Sequence, residues 1–265
     1  MDQFEGFKDL QRQSWAHFAP LEMVTMIPAA RLVSFAGVPA GQRVLDVACG
    51  TGVVSVTAAR LRAQVTGLDL TPELLDRARH NSEVAQVQVD WHEGDAEKLP
   101  FEDGAFDVVL SQFGHIFAPR PHLAIAEMLR VLKPGGTVAF STWPPDQFIG
   151  RMFSLTASYM PPPPPGVSPP VQWGEQAIVR ERLGNAVTDI VFESGTMLSA
   201  ALSPQHFRMA TEHTVGPLIK LVEALEIADP VRLAAFREEY DALAAKFFQD
   251  NSIRQVYLMT RAKKI

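Results

Sequence analysis

The sequence predicts an α/β domain built on a doubly wound, mostly parallel sheet, and three observations predict it. Short apolar runs alternate with helix-like periodicity through residues 44–143. The first run breaks at a glycine pair, Gly50 and Gly52, just before a helical stretch. Acids and amides stand at the carboxyl ends of successive runs. Strands separated by helices form βαβ units, and these bury a parallel sheet under helices on both faces. A ligand in such a sheet lies beyond the carboxyl ends of the strands.

Composition sets the class. The 265 residues are 47% hydrophobic and 20% charged, which suits a globular core and excludes wholesale disorder. A formal net charge of −6 provides no basic field for a phosphate backbone, so nucleic acid is excluded as a main partner. The single cysteine, Cys49, has no intrachain disulfide partner. The opening MDQFEGFKDL lacks the basic and apolar regions of a signal peptide, and no apolar run approaches the ~18 residues of a membrane span. A cytoplasmic location with no membrane span is the expectation. The seven histidines show no ligand spacing and there is no paired-cysteine motif, so no metal is expected.

Residues 1–35 hold Phe4, Phe7, Trp15, Phe18 and Leu21, too apolar for a tail, and read as one or two helices punctuated at Pro20 and Pro28. Trp15 and Phe18 could close over the glycine loop. Val44 to Val47 is the first strand, and Val53 to Leu61 its helix. Gln64 to Asp69 is the second strand; Thr71 as N-cap and Pro72 at the first helical position open the next helix. Val87 to Trp91 and Phe106 to Ser111 are the third and fourth strands, the helix 122–132 follows, and Thr137 to Thr142 is the fifth strand. Five consecutive prolines, 161–165, read as a stiff polyproline connector. A helix over 175–183, a strand over 186–193, and helices opened by Ser203-Pro204 and Asp229-Pro230 come next, and 254–260 is the last strand.

The strand ends carry the chemistry. Gly50 and Gly52 allow close backbone approach of a ligand at a helix start. Asp69, an acid ending the second strand, suits a ribose diol. Asp95 with the Ala96 N–H suits an adenine edge. Asp46 sits where it could hold an ammonium or a water. A dinucleotide-binding loop would read G-x-G-x-x-G, and the third glycine position here is Ser55.

These pieces resemble the class I S-adenosylmethionine-dependent methyltransferases, most closely the subgroup resembling ubiquinone and menaquinone biosynthesis C-methyltransferases. The matching stretches are VLDVACGTG at 44–52, GLDLTPELL at 67–75, GDAEKLPFEDGAFDVV at 94–109 and EMLRVLKPGGTVAFSTW at 127–143. The resemblance implies a Rossmann-like seven-stranded sheet with its last strand antiparallel, an enzyme, and S-adenosylmethionine as cofactor with S-adenosylhomocysteine as product. It implies a cofactor site of Asp46, Ala48, Cys49, Gly50, Thr51, Gly52, Asp69, Leu70, Gly94, Asp95, Ala96, Ser111, Gln112 and Phe113. Ser111 to Phe113 would stand beside the sulfonium. His115, following the fourth strand, is the candidate general base, with His17 and His213 behind it. Trp15, Phe18, Ile116, Phe117, Trp143 and Phe207 are the candidate acceptor lining, joined by Phe113, Phe148, Met152, Phe153 and Met209. They favour C- or O-methylation of a small lipophilic or aromatic molecule, with a non-catalytic S-adenosylmethionine sensor or partner subunit as the alternative and an NAD(P) oxidoreductase as a remote one.

A single methyltransferase domain over 1–265 is expected: helical cap 1–35, cofactor-binding core 36–145, proline-rich loop, helix and strand 146–195, helical insertion 196–253, and final strand 254–265. Nothing in the sequence specifies the oligomeric state.

Overall fold

The structure, a computed structural model, describes residues 3–265. Two helices, α1 (Glu5–Trp15) and α2 (Glu22–Ala36), precede the sheet. The alternating unit then runs β1 (Arg43–Val47), α3 (Val53–Arg60), β2 (Gln64–Asp69), α4 (Pro72–Val84), β3 (Val89–Glu93), β4 (Phe106–Gln112), α5 (Pro121–Val131) and β5 (Leu132–Thr142). Helices α6 (Phe148–Tyr159) and α7 (Gln176–Leu183) lead to β6 (Val187–Ala200). Helices α8 (Pro204–Thr211), α9 (Gly216–Ala228) and α10 (Pro230–Ala245) come before the two-residue β7 (Phe248–Gln249) and the long β8 (Ser252–Lys264).

Among the described residues the strands form one eight-stranded sheet in the order β3-β2-β1-β4-β5-β8-β6, with β7 on β8. Strands β1 to β5 pair in parallel, while β8 runs antiparallel to both β5 and β6. The order reverses between β1 and β4, which is where an open parallel sheet parts its loops and leaves a crevice.

Both faces of β1 are covered, as its unbroken apolar run requires. Leu45 and Val47 join Val109, Phe140 and Met128 of α5 on one face. Val44 joins Ala29, Leu32 and Val33 of α2 and Val54 and Ala58 of α3 on the other. A second core stands apart from the sheet: Phe148 and Met152 of α6 pack with Phe207, Leu218, Leu221, Phe236, Tyr240 and Ile253, so α8 to α10 bury their faces largely against one another and α6.

Several expectations are corrected. Pro28 does not end a helix; it lies inside α2, where the missing N–H would cost about 3 kcal/mol if packing did not offset it. Ala29, Leu32 and Val33, all essentially inaccessible, provide that packing. Thr71 stands at the N-cap of α4 with extended backbone, yet its side chain caps nothing; its N–H goes instead to Asp69. Ser203 and Asp229 do cap, accepting from the N–H of His206 and Arg232. Helix α6 went unannounced because no side chain caps it and Pro144-Pro145 precede it. Strand β6 runs seven residues past the expected Glu193, to Ala200, and β8 begins at Ser252, so the helical excursion is shorter than 196–253. The stretch Ala19–Ala36 has a mean hydropathy of 1.2, long and apolar enough by length and composition to cross a membrane, with 39% of it buried against the rest of the protein.

Candidate functional site

One cavity opens over the carboxyl ends of β1 to β4, and it begins in the loop after β1. Ala48, Gly50 and Gly52 all take left-handed backbone, with φ of 53°, 55° and 78°. The two glycines serve different ends. A Cβ on Gly50 would meet nothing within 4 Å, so its backbone faces open space, whereas one on Gly52 would stand 2.6 Å from the Trp91 ring. Gly50 lines the cavity and Gly52 lies behind it, packed on Trp91 and Ala78.

Carboxylates gather at this end. Asp69, ending β2, accepts from the Gly50 N–H at 2.7 Å and the Thr71 N–H at 2.9 Å, which ties the loop to the neighbouring strand. Asp46 accepts from the Ser55 hydroxyl at 2.6 Å through one oxygen, and its other oxygen is buried with no partner. Burial raises the pKa of Asp46 to about 7, the Ser55 hydrogen bond opposes that rise, and the Asp69 charge adds to it. Burial likewise raises Asp69 and pushes the Cys49 thiol well up, so Cys49 is a small apolar filler and not a thiolate. Ser55, the residue standing where a dinucleotide loop would have glycine, is thus the holder of Asp46.

Helix α1 straps the mouth. Lys8 reaches Asp95 at 2.6 Å and Glu97 at 2.7 Å. Arg12 donates to the Leu70 carbonyl at 3.0 Å, and Gln11 to the Phe117 carbonyl at 3.0 Å. Asp95 also accepts the Glu97 N–H at 2.8 Å. Lys8, Gln11, Arg12 and Trp15 all line the cavity, and sequence reasoning missed the first three. Their spacing was the available signal: positions 8, 11, 12 and 15 share one face of a helix.

Of the expected cofactor residues, Asp46, Ala48, Cys49, Gly50, Thr51, Asp69, Leu70, Gly94, Asp95, Ala96, Gln112 and Phe113 line this cavity. Gly52 and Ser111 do not. Ser111 is inaccessible, facing the opposite side of β4, with its hydroxyl 3.0 Å from the His115 Nδ1. Of the expected acceptor residues, Trp15, Phe18, Phe117, Trp143 and Phe207 line the cavity, as do Met152 and Phe153. Ile116 is 1% exposed inside the sheet core, Phe148 belongs to the core of α8 to α10, and Met209 is 57% exposed.

His115 is the main correction. It is inaccessible, wedged between the rings of Phe140 at 4.8 Å and Trp173 at 4.7 Å, and does not reach the cavity. Burial, with Arg182 nearby, lowers its pKa to about 3, so it stays neutral at ordinary pH and is a poor proton acceptor. The reason is alternation: the chain turns into a short 3₁₀ segment at His115–Phe117, which rotates His115 under the sheet while Phe113 and Phe117 face the cavity. His17 and His213 are exposed at the surface and line nothing.

The far half of the cavity is apolar. Phe113 and Trp143 stack at 3.9 Å and 15° between planes, and Ile149, Met152 and Phe153 of α6, Met197 of β6, and Phe207 and Val215 complete the wall. Phe113 holds left-handed backbone, φ 63°, and its N–H is anchored on the Ser141 carbonyl at 3.1 Å. Gly114 has no room for a side chain, since a Cβ there would stand 2.5 Å from the Ala48 carbonyl oxygen.

Residues 45–140 match the family model described as a methyltransferase domain. The chain is 36% identical over 258 residues to the uncharacterized protein Rv1403c of Mycobacterium tuberculosis, covering 96% of this chain and 93% of that one. It is 39% identical over 145 residues to the ubiquinone biosynthesis O-methyltransferase of Xanthomonas axonopodis pv. citri, which covers 53% of this chain and 60% of that one. A structure from Bacillus halodurans C-125 proposed to be a methyltransferase superposes with a TM-score of 0.60 at 22% identity, covering 89% of this chain and 98% of that one.

Proposed function

Because the chain belongs to the S-adenosylmethionine-dependent methyltransferase family, and is therefore an enzyme that needs a methyl acceptor, we propose that it methylates carbon or oxygen on a small lipophilic or aromatic molecule. One observation carries the reading: the acidic and apolar halves of a single cavity meet at the end of β4. The acidic half suits the cofactor. The unpartnered buried oxygen of Asp46 is placed for the cofactor's ammonium, and the backbone at Gly50 leaves room for the amino-acid end. Asp69 takes the ribose hydroxyls, Leu70 lies on adenine, and Asp95 with Ala96 takes its edge.

When bound, S-adenosylmethionine supplies an electrophilic methyl group and its own leaving group. The chain's residues bind, align and exclude water. Phe113, Phe117 and Trp143 give the acceptor a dry wall beside the donor site. Since His115 is out of reach, the acceptor must release its proton to solvent by its own acidity, as a phenol or an enol can.

Calorimetry and label transfer test the reading. S-adenosylhomocysteine should bind the wild-type chain, and label from S-adenosylmethionine should reach members of a panel of phenols, quinols and lipid-like acceptors. Failure of S-adenosylhomocysteine to bind removes the assignment; binding with no transfer to any acceptor supports a sensor instead.

A further inference from the structure

The residues after β4 that line the cavity share a property that those before it lack. Among the described residues, the lining from Gln112 onward contains no Asp, Glu, Lys, Arg or His. Its polar side chains are Gln112, Trp143, Ser199, Thr211 and Gln255, and Thr211 is already engaged with Tyr240 at 2.9 Å and the Phe207 carbonyl at 3.1 Å.

Besides the Trp143 indole N–H, two polar stations remain. The Gln112 amide donates to the Thr25 carbonyl at 3.0 Å, which fixes the side chain and leaves its Oε1 buried with no partner. At the other station the buried Gln255 amide donates to the Ser199 hydroxyl at 2.7 Å. That bond leaves the serine proton and the Gln255 carbonyl oxygen to meet a ligand. Gln112 ends β4 opposite Ser141 of β5, while Gln255 on β8 sits opposite Met197 of β6. With β5 between β4 and β8, and Met259, four residues from Gln255, level with Ser141, two strand spacings and that offset put the Cα atoms of Gln112 and Gln255 about 16 Å apart, a gap that the two glutamine side chains and a two-ring molecule fill together. Between them lies the Phe113–Trp143 stack, with Tyr257, on the same face of β8 as Gln255, edge-on to Phe113 at 5.8 Å.

Resting on the methyl-transfer reading, we propose that the acceptor is an uncharged, flat molecule with a hydrogen-bonding group at each end. A hydroxyl near the donor site is received by Gln112 Oε1, and a second polar group by the Ser199–Gln255 pair. The amide and hydroxyl satisfy neutral groups, whereas a carboxylate or phosphate in this half would be buried with no opposite charge, at high cost.

Binding to the full chain saturated with S-adenosylhomocysteine tests this with three probes: 2,6-dihydroxynaphthalene, 2-naphthol and 6-hydroxy-2-naphthoate. One extra neutral hydrogen bond should make the diol bind about tenfold more tightly than 2-naphthol. The naphthoate should bind at least about tenfold more weakly than the diol. Gln255→Leu should erase the diol's advantage and leave 2-naphthol unchanged; Ser199→Ala should do the same where Gln255→Leu does not fold. Equal binding of the naphthoate, survival of the diol's advantage in both variants, or no diol binding at millimolar concentration overturns the proposal. S-adenosylhomocysteine titrated alone separates the two readings: if it binds and the diol preference is missing, only the acceptor proposal fails; if it does not bind, the methyl-transfer reading fails.

Discussion

The two halves of the cavity are assembled in opposite ways. The cofactor half comes from consecutive strand ends, each delivering its own polar group: Asp46 from β1, Asp69 from β2, and Asp95 after β3. The proposed acceptor half draws one to three residues each from α1, α2, β4, α6, β6, α8 and β8, segments as far apart as Trp15 and Gln255. A site written in one stretch depends on local backbone, and a site collected from many segments depends on the packing that brings them together. The second core, Phe236 and Tyr240 with Phe148, Phe207 and Leu218, supports the α6 and α8 side of the acceptor half, while Phe113, Trp143 and Met197 belong to the sheet core.

The most severe test of that difference is Phe236→Ala. Phe236 is inaccessible at the centre of the second core, and its truncation should cost about 3–5 kcal/mol in chemical denaturation. At low temperature, in the molecules that remain folded, S-adenosylhomocysteine affinity should stay within about threefold. Parallel loss of cofactor affinity would make the two halves one cooperative unit.

Next in size is Asp69→Ala, which removes a buried acceptor lining the cavity and frees the Gly50 and Thr71 N–H groups. A charged hydrogen bond contributes about 1.5–3 kcal/mol, so calorimetry should show S-adenosylhomocysteine binding about 100-fold more weakly. Binding of 2-naphthol should not move, and an equal loss there would erase the boundary between the halves.

Asp46 gives a smaller, pH-dependent effect. With its pKa raised to about 7, it is protonated below that value and ionised above it. The cofactor's ammonium favours the ionised form, so affinity should rise by at most about tenfold per pH unit from pH 5 to 7 and level off above. Folding has the opposite sign. An acid whose pKa is raised on folding contributes stability at low pH that is lost as the pH climbs from about 4 through 7, so Asp46→Asn should stabilise the unliganded protein more at pH 8 than at pH 5. A flat affinity profile in the wild-type chain would take Asp46 out of ligand recognition.

The smallest change in turnover is expected from His115→Leu. It should lower stability by about 1–3 kcal/mol, because Ser111 loses its buried partner, and leave turnover per folded molecule within about twofold. A hundredfold fall in turnover at unchanged cofactor affinity would return His115 to the chemistry.

This contrast also explains what the sequence disclosed. The order and boundaries of β1, β2 and β4 and the placing of Asp46, Asp69 and Asp95 were legible because strand, turn and helix signals there are local. Ser111 was misjudged because a residue at the end of a strand faces one side or the other by a single step of alternation. His115 was misjudged for the related reason that a short 3₁₀ segment rotates the chain under the sheet. Lys8 and Arg12 showed only a shared helical face with Gln11 and Trp15, because the partners that hold them over the cavity lie 58 to 89 residues away. Gln255 had one faint mark, a polar residue interrupting the buried row Ile253, Tyr257 and Met259.

Helix α1 is fastened on the cofactor side by Lys8 and Arg12 and on the acceptor side by Gln11, with Trp15 tilted onto the Phe117 ring at 4.6 Å. A cover held by ion pairs and two carbonyl contacts would act as a latch in the proposed reaction, with bound molecules leaving no faster than the helix lifts. Product dwell time would then depend on Lys8, Gln11 and Arg12, whose side chains hold the cover in place. Lys8→Met, by removing the ion pairs to Asp95 and Glu97, should shorten that dwell time in a stopped-flow measurement of S-adenosylhomocysteine release.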